Sequence, residues 1–327
     1  MIWWQTLIEL TWFQALLLVG GLALIVLGAD WLVDGASGIA RRFGLSEFVI
    51  GLTIVGMGTS APEMVVSFIG AFQGNADIAI GNVVGSNIMN TLLILGLTAL
   101  ILPMAITPSN WKRDIPMNIL ITVLLIALGL EKTIFHIGTD GLSNWDGGIL
   151  IALFIAYMVL SFKGNKPDEE ASPAKQRSIG LCILLILAGI AGLAIGGELF
   201  VNNATSLART LGVSDKFIAI TILAGGTSMP ELATCVVAAA KKKGQLALGN
   251  IIGSNVFNVL LILGGSALIS PLSFEHITYV DLGVLLVSAL VLLTAGFVGR
   301  KKMIDRLDGA FFVLIWAAYM AYLIHNL

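Results

Sequence analysis

GTSAPE at residues 58–63 stands inside an apolar run, where a helix crossing a membrane has little tolerance for a glycine, a proline and an acid together. The chain writes it again 168 residues later as GTSMPE, residues 226–231, in a similarly apolar setting. The order of residues reads as a helix stop followed by a helix start. Gly58 can end one segment, Ser60 can cap the next with Glu63 three residues on, and Pro62 needs no backbone donor in a first turn. Gly226, Ser228, Glu231 and Pro230 repeat that order. Such a break frees carbonyls and turns the dipoles of two half-helices toward one place, which is tolerable at membrane depth when something polar is bound there.

The surroundings make membrane depth the expected setting. The 327 residues are 57% hydrophobic and 12% charged, with a mean hydropathy of +0.95, a composition unlike that of a soluble domain. Ten apolar runs follow one another at 13–36, 46–72, 78–102, 115–131, 147–162, 179–203, 214–240, 245–270, 277–298 and 308–326. A helix needs about 20 residues to cross a hydrocarbon core of about 30 Å. The expected fold is therefore all-α and polytopic, with ten transmembrane helices. The longest hydrophilic stretch, KGNKPDEEASPAKQR, begins at residue 163 and reads as a cytoplasmic linker over 163–178, between halves at 1–162 and 179–327. The N-terminus lacks the basic region of a cleaved signal, so the first span is expected to stay, with Trp3, Trp4 and Trp12 in an interfacial aromatic belt. Cys182 and Cys235 both fall in apolar spans and read as small packing residues.

Lys and Arg are retained on cytoplasmic loops. With the N-terminus outside, 15 of the 18 basic residues fall on the cytoplasmic side, leaving Lys132, Arg209 and Lys216 outside. Both termini are then expected on the non-cytoplasmic side of a plasma membrane. The offset of 168 extends beyond the hexapeptide: residues 28–103 laid on 196–271 without a gap give 32 identities in 76 positions. Each half holds five spans, an odd number, so corresponding spans should cross in opposite directions. The loop charges agree, since QGNAD at 73–77 has no basic residue while KKKGQ at 241–245 has three. Inverted five-helix repeats of this kind build secondary transporters, with the substrate site near the midplane.

Glu63 and Glu231 are the only acidic residues near the middle of the ten spans, where a charged side chain costs roughly 2.5–3.5 kcal/mol to insert. Two ionised carboxylates brought together repel, so either a cation is shared between them or one carries a proton. The following span in each half adds neutral oxygens: Asn82, Ser86 and Asn90 recur every four residues in GNVVGSNIMN, as do Asn250, Ser254 and Asn258 in GNIIGSNVFN. Gly81, Gly85, Gly249 and Gly253 allow close approach of that helix, and interhelical hydrogen bonding is the alternative role for Asn82, Asn87, Asn250 and Asn255. Together with the hydroxyls of Thr59, Thr227, Ser60, Ser228, Ser86 and Ser254, the carboxylates and freed carbonyls form an all-oxygen set. Such a set suits a hard cation such as Ca²⁺, which takes roughly 6–8 oxygens. His136, His276 and His325 fall in loops or at a span end, which argues against zinc or copper. Asp30 and Glu198 correspond across the repeat toward the ends of their spans, where an interfacial or gating role and plain snorkelling to solvent both fit; Asp34, Glu47 and Asp215 read as ordinary loop charges.

These residues resemble the two alpha-repeats of the calcium/cation antiporter superfamily, carrying G-T-S-x-P-E and G-N-x-x-G-S-N-x-x-N twice each. The resemblance is closest to short prokaryotic sodium/calcium exchangers. It implies that Glu63 and Glu231 serve both Ca²⁺ and Na⁺. It also implies that Thr59, Ser60, Ser86 and Asn90 join them from one repeat and Thr227, Ser228 and Ser254 from the other, with backbone carbonyls at Gly56 and Ala224. Asn258 departs from members that carry aspartate there, so the ion ratio does not carry over. The implied mechanism is alternating access, the first and sixth spans sliding against the rest, with transported Ca²⁺ and Na⁺ or H⁺ and no cofactor. The expected partners are inorganic cations and the lipid bilayer. A proton-coupled antiporter of the same fold and a passive cation channel are the competing readings. An enzyme is not expected, since no nucleophile–base set and no phosphate loop is present, and no basic patch suggests nucleic acid.

Overall fold

The structure, a computed structural model, describes residues 11–136, 138–163, 177–213, 224–274, 277–294 and 302–326. Trp3, Trp4, Asp215, His276, most of the linker and the first ten residues of the expected seventh span lie outside that set. Among the described residues the chain is helical apart from turns and two-residue strand pairs. The main helices are α1 (Thr11–Phe43), α2 (Glu47–Thr59), α3 (Ala61–Phe72), α4 (Ala76–Ile101), α5 (Ile115–Gly129), α6 (Asn144–Lys163), α7 (Ile179–Thr210), α8 (Met229–Ala240), α9 (Gly244–Ile269), α10 (Tyr279–Thr294) and α11 (Arg306–His325). Six of them, α1, α4, α6, α7, α9 and α11, are long and apolar enough to cross a membrane. The α2–α3 pair forms a seventh candidate, bent by 49°. Helices α5, α8 and α10 are shorter and fall on the expected fourth, seventh and ninth spans.

Helix α1 runs seven residues past the expected end of its span, to Phe43. Gly44 stops it with a left-handed φ of 63°, and the Leu45 amide returns to the Ala40 carbonyl at 2.9 Å. Arg41 and Arg42 in the last turn complement the helix dipole. The corresponding Gly212 ends α7 in the same way, with φ 80° and the Val213 amide on the Ala208 carbonyl. At 33 residues α1 is roughly 50 Å long, so part of it projects beyond the hydrocarbon or the helix is tilted.

The core is arranged around α9, whose most apolar window is 94% buried, against 17–33% for α1, α6, α7 and α11, which face outward. The expected close packing is present at Gly249 and Gly253, where a Cβ would strike the backbone of α2 at Phe48 and Leu52, and absent at Gly81 and Gly85, where a Cβ would meet nothing within 4 Å. Helices α1 and α7 meet through glycines on both sides. A Cβ on Gly28 would lie 2.8 Å from the Gly189 carbonyl, and one on Gly21 would lie 2.9 Å from that of Gly196. Two short antiparallel ladders tie loops together, β1 (Met104–Ala105) with β4 (Met303–Ile304) and β2 (Gly141–Leu142) with β3 (Leu272–Ser273).

Candidate cation-binding site

The bend in GTSAPE falls at Ser60, two residues later than the glycine stop expected from sequence. Ser60 has φ −80° and ψ 6°, α2 ends at Thr59, and α3 begins at Ala61 with Pro62 in its first turn. The expected capping box is absent, because the Ser60 side chain makes no capping bond. The interruption is so narrow that the backbone ladder nearly continues across it. The Ser60 amide donates to Gly56 and the Met64 amide to Ser60, each at 3.0 Å. Pro62 has no N–H to offer the Gly58 carbonyl, so that group loses its helical partner. Ser228 repeats the geometry, with φ −89°, ψ 6° and no capping bond. Both serines are therefore released from local duty.

Their hydroxyls reach across to the other half of the chain. Ser60 Oγ donates to Glu231 Oε1 at 3.1 Å, and Ser228 Oγ donates to Glu63 Oε1 at 3.3 Å. Thr59 donates to Asn250 Oδ1 at 3.1 Å, and Thr227 donates to Asn82 Oδ1 at 3.3 Å. Asn90 Nδ2 donates to Asn255 Oδ1 at 3.3 Å, and Asn258 Nδ2 donates to Asn87 Oδ1 at 2.9 Å. In each couple one bond becomes the other when 168 is added to the first residue and subtracted from the second. The contacts thus come in pairs that exchange between the two copies of the repeated sequence. The glycine contacts of α1 with α7 do so as well, Gly21–Gly196 exchanging with Gly28–Gly189.

Glu63, Glu231, Thr59, Asn90, Ser228, Ser254 and Asn258 are fully buried, and Ser60 and Ser86 nearly so. Burial without partners is costly, so several unpartnered oxygens gathered around the two hexapeptides mark a candidate ligand set. Glu63 Oε2, Glu231 Oε2, Asn90 Oδ1, Asn258 Oδ1 and Ser86 Oγ are buried with no hydrogen-bond partner. The two asparagine oxygens can only accept, and so can the two carboxylate oxygens when ionised. Ser254 Oγ donates to Glu231 Oε1 at 3.3 Å and lies 3.5 Å from the Gly56 carbonyl, which brings that carbonyl beside the carboxylate. Ala224 opens the short helix Ala224–Gly226 immediately before Thr227.

The four asparagines for which interhelical hydrogen bonding was the alternative all have supporting contacts. Asn82 also donates to the Glu63 carbonyl at 3.1 Å and to Ser67, and Asn250 donates to Cys235 Sγ. Their recurrence at the 168 offset is the signal that marks them. π-helical turns at Gly51–Val55, Met89–Ile94 and Phe257–Leu263 flank the site, a feature often found at functional positions and without a signature in sequence.

A cavity of about 710 Å³ abuts both hexapeptides, lined by Gly58, Pro62, Asn82, Thr227 and Pro230 on one side and by Ile190, Glu198 and Asn202 of α7 on the other. Along α1 and at the start of α2 the charges are paired. Lys241 bridges Asp30 at 2.7 Å and Asp34 at 2.6 Å, Arg177 reaches Asp34 at 2.9 Å, and Lys243 holds Glu47 and Ser37, both at 2.7 Å. Asp34 and Glu47 are thus helical residues in ion pairs, a correction to their reading as loop charges, made because α1 continues past Asp34 to meet α8. Position 34 corresponds to Asn202, 241 to Gln73 and 243 to Asn75, so the other half of the chain has no matching cations.

The chain matches the family model described as sodium/calcium exchanger protein over residues 13–163 and 181–325. It is 37% identical over 311 residues to the putative antiporter CaxA of Alkalimonas amylolytica, covering 91% of this chain and 95% of that one. It is 33% identical over 345 residues to the sodium/calcium exchanger MaX1 of Methanosarcina acetivorans, covering 95% and 98%. Among solved structures it resembles the sodium-calcium exchanger NCX_Mj with a TM-score of 0.82 at 33% identity, over 95% of this chain and 99% of that one.

Proposed function

The chain belongs to the sodium/calcium exchanger family, and from that premise we propose that it exchanges Ca²⁺ for Na⁺ by alternating access at a site shared by Glu63 and Glu231. The observation that carries this reading is the crossed pair Ser60–Glu231 and Ser228–Glu63, with the second oxygen of each carboxylate left unpartnered. Two buried carboxylates are neutralised by one Ca²⁺ or by more than one Na⁺, so occupancy by either excludes the other and couples the fluxes. The remaining ligands are the oxygens of Thr59, Thr227, Ser60, Ser228, Ser86, Ser254, Asn90 and Asn258, with the carbonyls of Gly56 and Ala224.

The architecture that goes with this function is ten transmembrane helices in two inverted five-helix repeats, 1–162 and 179–327, joined by a cytoplasmic linker. The exchanged contacts at the 168 offset support the two-fold relation. The strand ladders support the sidedness: β1 and β4 belong to loops that the Lys and Arg count assigns to the cytoplasm, and β2 and β3 to loops it assigns outside. Both termini then lie on the non-cytoplasmic side of a prokaryotic plasma membrane. The glycine faces of α1 and α7 provide the smooth contact that sliding requires, and the cavity beside Glu198 is the outer access route.

On this reading the Lys241 and Lys243 pairs close the cytoplasmic side. Each pair is partly exposed, and such pairs contribute roughly 0.2–1 kcal/mol apiece. Lys241→Gln removes two of them and is expected to raise the external Ca²⁺ needed for half-maximal uptake by about threefold to tenfold, since fewer molecules face outward. Lys242→Gln, which removes the same charge, should leave it unchanged. The exchange itself is tested in sealed vesicles, where an outward Na⁺ gradient should drive uptake of radiolabelled Ca²⁺. Uptake driven instead by a pH gradient in Na⁺-free buffer would assign the coupling to protons, and uptake indifferent to both gradients would indicate a channel.

A further inference from the structure

We propose that Thr91 is a positioning residue that keeps the Asn90 carboxamide turned with its oxygen toward the bound cation, acting through Asn255; this rests on the reading of Asn90 as a ligand. A carboxamide offers an oxygen to a cation only if its NH₂ points away, and a buried NH₂ needs an acceptor. Asn90 Nδ2 finds one in Asn255 Oδ1 at 3.3 Å. That contact commits the Asn255 oxygen, so the Asn255 NH₂ needs an acceptor in turn. It finds Thr91 Oγ1 at 2.8 Å. Asn90, Asn255 and Thr91 are 0%, 3% and 1% exposed, so the relay is shielded from bulk water.

The other half of the site shows why the hydroxyl is needed once. There Asn258 donates to Asn87 Oδ1 at 2.9 Å, and the Asn87 NH₂ ends on the backbone carbonyl of Asn255 at 3.2 Å. A backbone acceptor closes that relay, and the residue at the position equivalent to Thr91 is Val259. Both residues stand in π-helical turns, Met89–Ile94 and Phe257–Leu263. Valine is therefore compatible with this turn, and Thr91→Val removes the acceptor while preserving shape.

The test uses full-length protein in proteoliposomes, reading Na⁺-driven Ca²⁺ uptake, together with radiolabelled Ca²⁺ binding to the purified chain. Thr91→Val leaves the Asn255 NH₂ unsatisfied whenever Asn90 faces the cation. It is expected to raise half-saturating Ca²⁺ about tenfold or more in both assays, with a smaller change in maximal rate. Thr91→Ser restores the acceptor and should return both values to wild type. A Thr91→Val protein with wild-type half-saturation overturns the proposal, as does one that loses only the amount of active protein. If Thr91→Val does not fold, Thr91→Ala takes its place, and failure of both to fold assigns the hydroxyl to stability alone. Absence of Na⁺-driven uptake in the wild type would refute the exchange reading instead, and the binding assay would still decide the role of Thr91.

Discussion

Glu63→Gln and Glu231→Gln are each expected to abolish Na⁺-driven Ca²⁺ uptake, with at least a hundredfold loss of initial rate at fixed Ca²⁺, measured in proteoliposomes holding equal amounts of protein. Glutamine keeps the shape and an acceptor oxygen for the serine hydroxyl, so the crossed contacts with Ser60 and Ser228 can persist. What disappears is half of the charge facing the cation. Removing one partner of a buried charge pair costs roughly 3–5 kcal/mol, which corresponds to about two to three and a half orders of magnitude in binding. In the proposed site the two carboxylates act on one ion, so the double variant should be scarcely worse than either single one. Rates that multiply would indicate separate sites.

Gly28→Leu and Gly189→Leu are expected to be strongly damaging although both lie outside the site. A Cβ on Gly28 would meet the Gly189 carbonyl oxygen and the Leu193 amide nitrogen at 2.8 Å, and one on Gly189 would meet the Leu32 nitrogen at 2.7 Å. The obstacles are backbone atoms, which cannot rotate away, so α1 and α7 must separate. Overpacking of this kind costs roughly 1–3 kcal/mol, occasionally more. The loss falls on the two helices assigned to sliding. Thermal unfolding in detergent should show both variants melting below wild type, whereas Gly20→Leu, on a part of α1 where an added Cβ meets nothing within 4 Å, should not.

The part of the site that can be read from sequence is the part that violates its surroundings. Glu63 and Glu231 stand out because a carboxylate at midspan is expensive, and the 168 offset links each to its counterpart and to the asparagine rows. Their partners were harder to read. Ser60 has the spacing of a capping box, and local spacing carries no information that the serine is turned toward Glu231, 171 residues away. Asn87 and Asn255 are recognisable as polar residues in an apolar span, but a carboxamide can bond in many directions, and only the folded chain selects Asn258 and Asn90. Asp34 was misread because hydropathy falls near it while the helix does not end; the lysine that compensates it comes from α8, which no local window contains. The π turns at Gly51–Val55, Met89–Ile94 and Phe257–Leu263 have no signature in residue type.

The central claim is that one cation is held jointly by the two halves of the chain, and equilibrium binding of radiolabelled Ca²⁺ to the purified protein tests it most directly. One Ca²⁺ per chain is predicted, displaced by Na⁺ with a steep concentration dependence and lost in full from either Glu63→Gln or Glu231→Gln. A protein in which each substitution removes half of the bound Ca²⁺, or in which the double variant still binds it, would contradict the account.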